Sequence, residues 1–303
     1  MSQRERVAVI ILNYNKKQDA LACLESVQRL EWTPSRVVFV DNGSTDGSAD
    51  AAAQAFPSVH VVRHATNLGA AGGRNAGWRY VTRQASFDHV LFLDNDTVLN
   101  PHFLSRLVDG MRRDPRAGIV CGKGYTRFPS RTIMSAGIVV NLYTGVVRDR
   151  GAGQVDHGRY DRSEYVDACG GFGFLVRQRV MAELGGLDER FNPYGWEDVE
   201  FCLRAKARGH RTRYVPEAVI YHHGGKLGRS YLLAYERLKV RNYLFLLMRH
   251  TTLLQRFSCA VCLPVRAIGL IGTLMAHGQA RILAAHWQGL REGINARQTG
   301  GSS

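Results

Sequence analysis

Three short patterns carry the chemistry that this chain can do. In Leu93-Asp94-Asn95-Asp96 two carboxylates, one residue apart, end an apolar run from His89 to Leu93. Side chains alternate along an extended chain, so Asp94 and Asp96 share a side and can offer oxygen ligands to one hard divalent cation, Mn or Mg. The competing reading is a strand followed by an Asx turn and a helix opened by Asn100-Pro101, with both acids merely solvated. In Trp196-Glu197-Asp198 a second acid pair opens a stretch whose apolar positions, Val199, Cys202, Leu203 and Ala207, have helical spacing. A helix dipole alone would stabilise acids there, whereas the functional reading is a general base held at a helix start to take a proton from an acceptor hydroxyl. The third pattern, His222-His223-Gly224-Gly225, ends an apolar strand and can bring one imidazole nitrogen to the same cation.

These groups need a scaffold that gathers strand ends. Val7 to Leu12 is a continuous apolar run, as in a parallel strand covered on both faces, and Asn13-Tyr14-Asn15 closes it. Ala20, Leu21, Leu24, Val27 and Leu30 give a helix over 17–30, and Arg36 to Val40 reads as a second buried strand. Strand, helix, strand implies a parallel sheet, whose ligands bind beyond the carboxyl ends of the strands. Asn13 to Asn15 and Asp41 to Ser48 both lie there. Asp41 can accept from a base imide or a ribose hydroxyl, and a turn with a helix cap explains the same residues equally well. After a helix over 49–55 and a strand over 59–63 comes the glycine-rich segment Thr66 to Gly77. If a helix begins there, its free N–H groups and Arg74 face a diphosphate; otherwise the glycines only allow tight helix-to-sheet packing. Further helices are expected over 78–83 and 100–112. Residues 113–165 lose clear period, with β-like pieces at 118–121 and 137–140 and a mobile arginine-rich surface loop over 148–162.

A chain of 303 residues exceeds the ~250 at which a single core stops growing, so one large α/β domain with an appendage is expected. The net charge is +14, and residues 226–303 hold eleven Lys and Arg against two acids. Such a tail seeks anions, and its interleaved apolar runs favour acidic lipid headgroups over nucleic acid. Phe257 to Ala276 has about the ~20 residues of a bilayer span, but Pro264 and Arg266 sit near its centre. Helices lying on the cytoplasmic face of the membrane are expected, with Arg249, Arg256, Arg281 and Arg291 toward phosphates. An oligomer interface is the competing reading of that stretch. The six cysteines have mostly apolar neighbours, and the Cys259/Cys262 pair has no second pair at zinc spacing, so reduced packing thiols are expected. Val7 to Leu12 is too short for a signal-peptide core, which gives a cytoplasmic expectation.

Taken in order, the motifs resemble those of family 2 glycosyltransferases with the GT-A fold, most closely the bacterial rhamnosyltransferase-like branch. The resemblance runs from about Val7 to about Leu247. It rests on Ile11-Leu12-Asn13-Tyr14-Asn15, Val40-Asp41 through Ser48, Asn67-Leu68-Gly69 through Gly77 and Leu93-Asp94-Asn95-Asp96. It continues in Gly185-Gly186-Leu187-Asp188-Glu189-Arg190-Phe191, Trp196-Glu197-Asp198-Val199-Glu200 and His222-His223-Gly224-Gly225. The resemblance implies an α/β, Rossmann-like, mixed but mainly parallel sheet flanked by helices over 1–247, followed by a basic helical tail over 248–303. Residues 1–100 would form the nucleotide-sugar half and 101–247 the acceptor half. It implies that Asn13, Asn15 and Asp41 hold the nucleoside, with Gly69 and Arg74 near ribose and diphosphate. Asp94, Asp96 and His222 would organise the cation, Asp94 also facing the donor, and Asp198 would be the base with Glu197 beside it. His222 is preferred to His223 on the family's His-x-Gly-Gly-like spacing, and the serine often found beyond it would be Ser230.

The implied activity is inverting, metal-dependent transfer of one sugar, with dTDP-rhamnose as the leading donor, to a glycan or lipid-linked hydroxyl. No Gln-x-x-Arg-Trp of processive synthases occurs, which favours a single addition. A sugar-phosphate nucleotidyltransferase is the runner-up, but that class places its glycine-rich loop directly after the first strand, where Asn13-Tyr14-Asn15 stands. A noncatalytic glycan- or nucleotide-binding subunit is the other alternative, and the acids at 94, 96 and 198 speak against it.

Overall fold

The computed structural model describes residues 5–224 and 229–299. In chain order the strands are β1 (Val7–Asn13), β2 (Arg36–Asp41), β3 (His60–Arg63), β4 (His89–Asp94), β5 (Thr97–Leu99) and β6 (Ala117–Thr126). They continue with β7 (Ile133–Ser135), β8 (Ile138–Asn141), β9 (Val146–Asp149), β10 (Glu164–Val166), β11 (Gly173–Arg177) and β12 (Arg211–His222). The helices are α1 (Lys17–Gln28), α2 (Ser48–Ala55), α3 (Gly69–Gln84), α4 (Phe103–Arg113), α5 (Gln178–Leu184), α6 (Glu197–Ala207), α7 (Arg229–His250), α8 (Leu253–Ala276) and α9 (Ala280–Thr299). The chain folds as two compact units. The first comprises residues up to Val139, Asp149–Asn192 and Glu197 to Gly224, and the second Val140–Arg148, Pro193–Trp196 and residues 229–299.

In the first unit one mixed sheet has the order β10-β12-β6-β11-β4-β1-β2-β3, with β5 added on β12 and β7 on β6. β1 to β4 are mutually parallel where they pair, because each crossover is a helix. β1 and β4 are apolar on both faces and lie in the middle, where helices cover both sides. β11 enters antiparallel between β4 and β6, and its pairing continues to a hydrogen bond from Asp94 N to Phe172 O of 3.2 Å. β5 pairs antiparallel with the end of β12, so that His222 stands opposite Thr97. That pairing brings a histidine 126 positions on in sequence to the acids after β4.

Several elements differ from the sequence expectation. α3 begins at Gly69 rather than near Trp78, because its glycines are packing sites: a Cβ at Gly73 would lie 2.4 Å from Leu12 and one at Gly77 2.6 Å from Ile10. β6 runs for ten residues, well past its apolar start, since Gly122 and Gly124 admit Ala218 O and the Phe172 ring, respectively. The arginine-rich loop is held rather than mobile. Lys123, buried on β6, reaches Asp156 at 2.8 Å and also pairs with Asp161, and the Tyr125 phenol donates to Asp156. A buried ammonium must be paired, and the loop supplies its partners.

In the second unit α7 and α9 pack along one another. Gly289 and Gly293 make this possible, because a Cβ at Gly289 would lie 2.1 Å from Arg237 O. Two charge pairs, Arg237–Glu292 at 2.9 Å and His286–Glu236 at 2.8 Å, flank the seam. The sequence reading set residues 230–247 with the acceptor half, whereas α7 groups with the tail. α8 opens on a capping box formed by Thr252 and Gln255 and is exposed at every position from 264 to 273. The six cysteines are free thiols, and Cys259 packs with its Sγ 3.1 Å from Leu142 O.

Candidate active site

The loops after β1, β2 and β4 are laced together by asparagines. Asn13 is fully buried, and its Nδ2 lies 3.1 Å from Asp41 Oδ1, 3.0 Å from Ser44 Oγ and 2.8 Å from Ser48 Oγ. Its Oδ1 accepts from Asn95 Nδ2 at 2.7 Å. The Asn13 amide is engaged at both ends and orders the Asp41 carboxylate. Asn15 adopts a left-handed backbone (φ 57°) and takes Thr45 N on its Oδ1 at 3.0 Å. Asn95, on the opposite side of the chain from Asp94 and Asp96, is thus the brace between two acids that face the other way.

At the start of α3 the backbone N–H groups have side-chain acceptors. Leu68 N donates to Asn42 Oδ1, Gly69 N to Asn67 Oδ1, and Ala71 N and Gly72 N to Asn192 Oδ1, at 2.8 to 3.3 Å. Asparagine side chains already satisfy these orphan N–H groups. Gly69 has φ 78°, and a Cβ there would meet the Asn192 side chain at 2.5 Å. Its glycine is required by backbone and packing, whatever ligand lies nearby.

Arg74, 3% exposed, points instead into the space behind β4. One guanidinium nitrogen lies 2.6 Å from Asp94 Oδ1 and 3.1 Å from Gly171 O, and another lies 2.8 Å from Glu197 Oε1. The planar fork spans two acids that a single ammonium could not. Burial disfavours its charge, but Asp94 and Glu197 reverse the balance and raise its pKa.

Asp94, Asp96 and His222 converge: one ligand atom from each lies within 4.8 Å of the others. His222 Nε2 is 2.9 Å from Asp96 Oδ1, and its ring stacks on Phe172 with centroids 5.3 Å apart. His223 turns away toward Asp19, 3.7 Å distant. Lys16, a residue that the sequence reading did not single out, places Nζ 2.6 Å from Asp96 Oδ2. Its left-handed backbone (φ 60°) is the local cause, and nothing in residue type alone announced it. Burial pushes Asp94 up despite Arg74. Burial also works against Asp96, yet hydrogen bonds and charge from His222 and Lys16 hold it well below the usual carboxylate range. His222 is raised in turn, Asp96 outweighing its burial. Two carboxylates and an imidazole, already drawing ammonium and guanidinium groups, fit a divalent cation of the Mn or Mg kind.

Glu197 and Asp198 differ although adjacent. Glu197 is buried against Arg74, whereas Asp198 is partly exposed, with Oδ1 accepting from Val199 N at 2.8 Å. Burial and then the charge of Glu197 push Asp198 up to about 7, a value suited to a base near neutrality. Arg74 thus links the Asp94, Asp96 and His222 cluster to the acid pair through its contacts with Asp94 and Glu197.

A mannosyltransferase from Pyrobaculum calidifontis, solved with GDP-Man and Mn2+, superposes with a TM-score of 0.60 at 19% identity over 95% of this chain and 88% of its own. GalNAc-T7, solved with UDP, GalNAc and Mn2+, does so at 0.59 and 14% identity over 77% of this chain and 48% of its own. Together with the strand order, these likenesses define the GT-A fold of glycosyltransferases. Residues 8–178 match the model of glycosyl transferase family 2, and the chain belongs to that family. Its curated relatives include the N-acetylglucosaminyl-diphospho-decaprenol L-rhamnosyltransferase of Mycobacterium tuberculosis, 28% identical over 80% of this chain and 84% of that protein. The O-antigen biosynthesis protein RfbC of Myxococcus xanthus is 28% identical over 71% of this chain and 17% of its own length.

Proposed function

We propose that this glycosyltransferase moves a single rhamnosyl group, with inversion, from a nucleotide-diphosphate donor to a hydroxyl of a lipid-linked glycan. The observation that carries this reading is the Asp94, Asp96 and His222 cluster joined through Arg74 to the acid pair that contains Asp198. The M. tuberculosis relative supports the sugar and acceptor class by its name. In this reading Asp41 receives the nucleoside, and Asn13, Asn15 and Asn95 keep its loop in place. Asp94, Asp96 and His222 hold a divalent cation, Mn or Mg, which supplies neutralisation of the charge that develops on the departing diphosphate. Asp198 takes the proton of the attacking hydroxyl, while Glu197 keeps Arg74 from drifting out of the network.

A panel of nucleotide sugars, each with Mn or with EDTA, tests the donor by thermal stabilisation and by hydrolysis. dTDP-rhamnose with Mn is expected to raise the melting temperature most, and Asp96→Ala is expected to abolish the Mn-dependent part. Equal stabilisation by every nucleotide sugar, with and without Mn, would contradict the reading.

The second unit supports a membrane-surface location. α8 exposes Leu254, Phe257, Val261, Val265, Ile268 and Met275, with Arg256 and Arg266 on the same helix. An exposed apolar surface interspersed with arginines matches an anionic lipid interface. The full chain is expected to sediment with phosphatidylglycerol vesicles and to stay in solution with phosphatidylcholine vesicles at high salt. Equal recovery in the supernatant with both lipids at low salt would remove the lipid surface from the proposal.

A further inference from the structure

The imidazole of His222 is held from three directions by residues of the first unit. Its Nε2 lies 2.9 Å from Asp96 Oδ1. Phe172 lies flat against the ring, the two planes 15° apart, and fills the space over Gly124, where a Cβ would come within 2.6 Å of it. The remaining nitrogen, Nδ1, lies 3.2 Å from Met134 Sδ.

Met134 reaches that nitrogen from an irregular strand. β7 pairs antiparallel with β6 through Ser135 opposite Gly124 and Ile133 opposite Tyr125, which leaves Met134 between them with no partner on β6. One residue extra to a ladder bends its strand and re-aims a side chain, a device found beside functional sites. The other edge of β7 is fastened as well. Ile133 N donates to Gln154 O at 2.8 Å, Gly153 N to Ile133 O at 2.9 Å and Ala136 N to Arg150 O at 2.9 Å. Ile133 and Ser135 are both buried, so a slip of one register would turn both away from the interior.

A thioether sulfur accepts a hydrogen bond weakly and has no hydrogen to give. The contact with Met134 is therefore made by Nδ1–H. An imidazole that keeps its hydrogen on Nδ1 has Nε2 as the nitrogen able to bind a cation, and Nε2 is the one that faces Asp96. In the other neutral tautomer the Nδ1 lone pair would face the sulfur lone pairs, with no hydrogen between them. The second nitrogen of a metal-binding histidine ordinarily donates to a carboxylate, a backbone carbonyl or water. Sulfur fills that place here. We infer that Met134 is a positioning residue for His222: by accepting from Nδ1–H it selects the tautomer and ring orientation that present Nε2 to the cluster of Asp94 and Asp96. The inference rests on the reading of His222 as a cation ligand, and the experiment tells failure of one from failure of the other.

The full-length native chain, Met134→Leu, Met134→Gln and His222→Ala are each titrated with Mn in the absence of donor, free Mn being followed by electron paramagnetic resonance, and each is melted in EDTA. Leucine keeps an apolar side chain and removes the acceptor, whereas glutamine supplies a carbonyl acceptor on a chain of similar length. Met134→Leu should bind Mn about tenfold more weakly than the native chain, the lower end of the range for losing such a partner, because sulfur is a weak acceptor. Its melting temperature in EDTA should match the native one. Met134→Gln should bind Mn at least as tightly as the native chain. Native affinity in Met134→Leu, or an equal loss in both variants, overturns the inference. If Met134→Leu does not fold, Met134→Gln decides alone: affinity at or above the native value supports the acceptor role, and weaker binding rejects it. Native Mn affinity in His222→Ala would instead remove His222 from the cation site.

Discussion

Asp198→Asn is expected to lower transfer by about 10²- to 10⁴-fold, the range in which a positioned general base contributes, while donor binding stays intact. The substitution preserves shape and removes the one group in the acid pair that is both partly exposed and raised in pKa. Its neighbour cannot replace it, because Glu197 is engaged by Arg74. The same assignment gives a pH dependence. A carboxyl raised to about 7 by burial and by Glu197 is protonated, and idle as a base, below that pH. In the native enzyme kcat/KM should fall about tenfold per pH unit below ~7 and level off above it. Glu197→Gln removes the neighbouring charge, so the acidic limb should move to lower pH. Parallel profiles for native enzyme and Glu197→Gln, or near-native turnover in Asp198→Asn, would take Asp198 out of the role.

Arg74→Met should give the largest loss of stability of any single change in the site. It takes away the guanidinium that spans Asp94 and Glu197, and removing one partner of a buried ion pair costs about 3–5 kcal/mol. For a unit of this size that corresponds to a fall in melting temperature on the order of 10 °C. The sign of the pH effect follows from the acids. Asp94 is already raised by burial against the pull of Arg74, so without the guanidinium its carboxyl rises further, protonation relieves the variant as pH drops, and its deficit widens as pH rises. Melting native and variant chains at pH 5 and pH 8 measures this; an equal deficit at both would mean that packing, not charge, dominates. Lysine should rescue poorly, because the two contacts at 2.6 and 2.8 Å come from different guanidinium nitrogens.

Much of this was legible in the chain itself, for definite reasons. β1, β2 and β4 announced themselves as unbroken apolar runs, and an alternating acid pair after β4 can only point one way. The helix start at Glu197 was likewise written in local periodicity. What was hidden depends on pairing over distance. The partners of Arg74, Asp94 and Glu197, lie 20 and 123 positions away, and no local pattern records that. The start of α3 looked open because its caps come partly from Asn192, 120 residues on. β6 was cut short because Gly122, Lys123 and Gly124 interrupt its apolar pattern. Those residues are dictated by Ala218, Asp156 and Phe172, none of them adjacent in sequence.

The chain leaves its first unit at Val139, returns at Asp149, leaves again after Asn192 and comes back at Glu197 before running into α7. A cut after residue 224 therefore leaves two segments of the second unit, Val140–Arg148 and Pro193–Trp196, on the fragment that carries the first. A fragment ending after α7 would keep every acid of the centre yet strip α9 from the helix that it packs along, so a trimmed protein that stays in solution is not a smaller edition of the whole chain. Separating lipid attachment from turnover in this molecule calls for single-residue changes on the outer face of α8, with the polypeptide left whole.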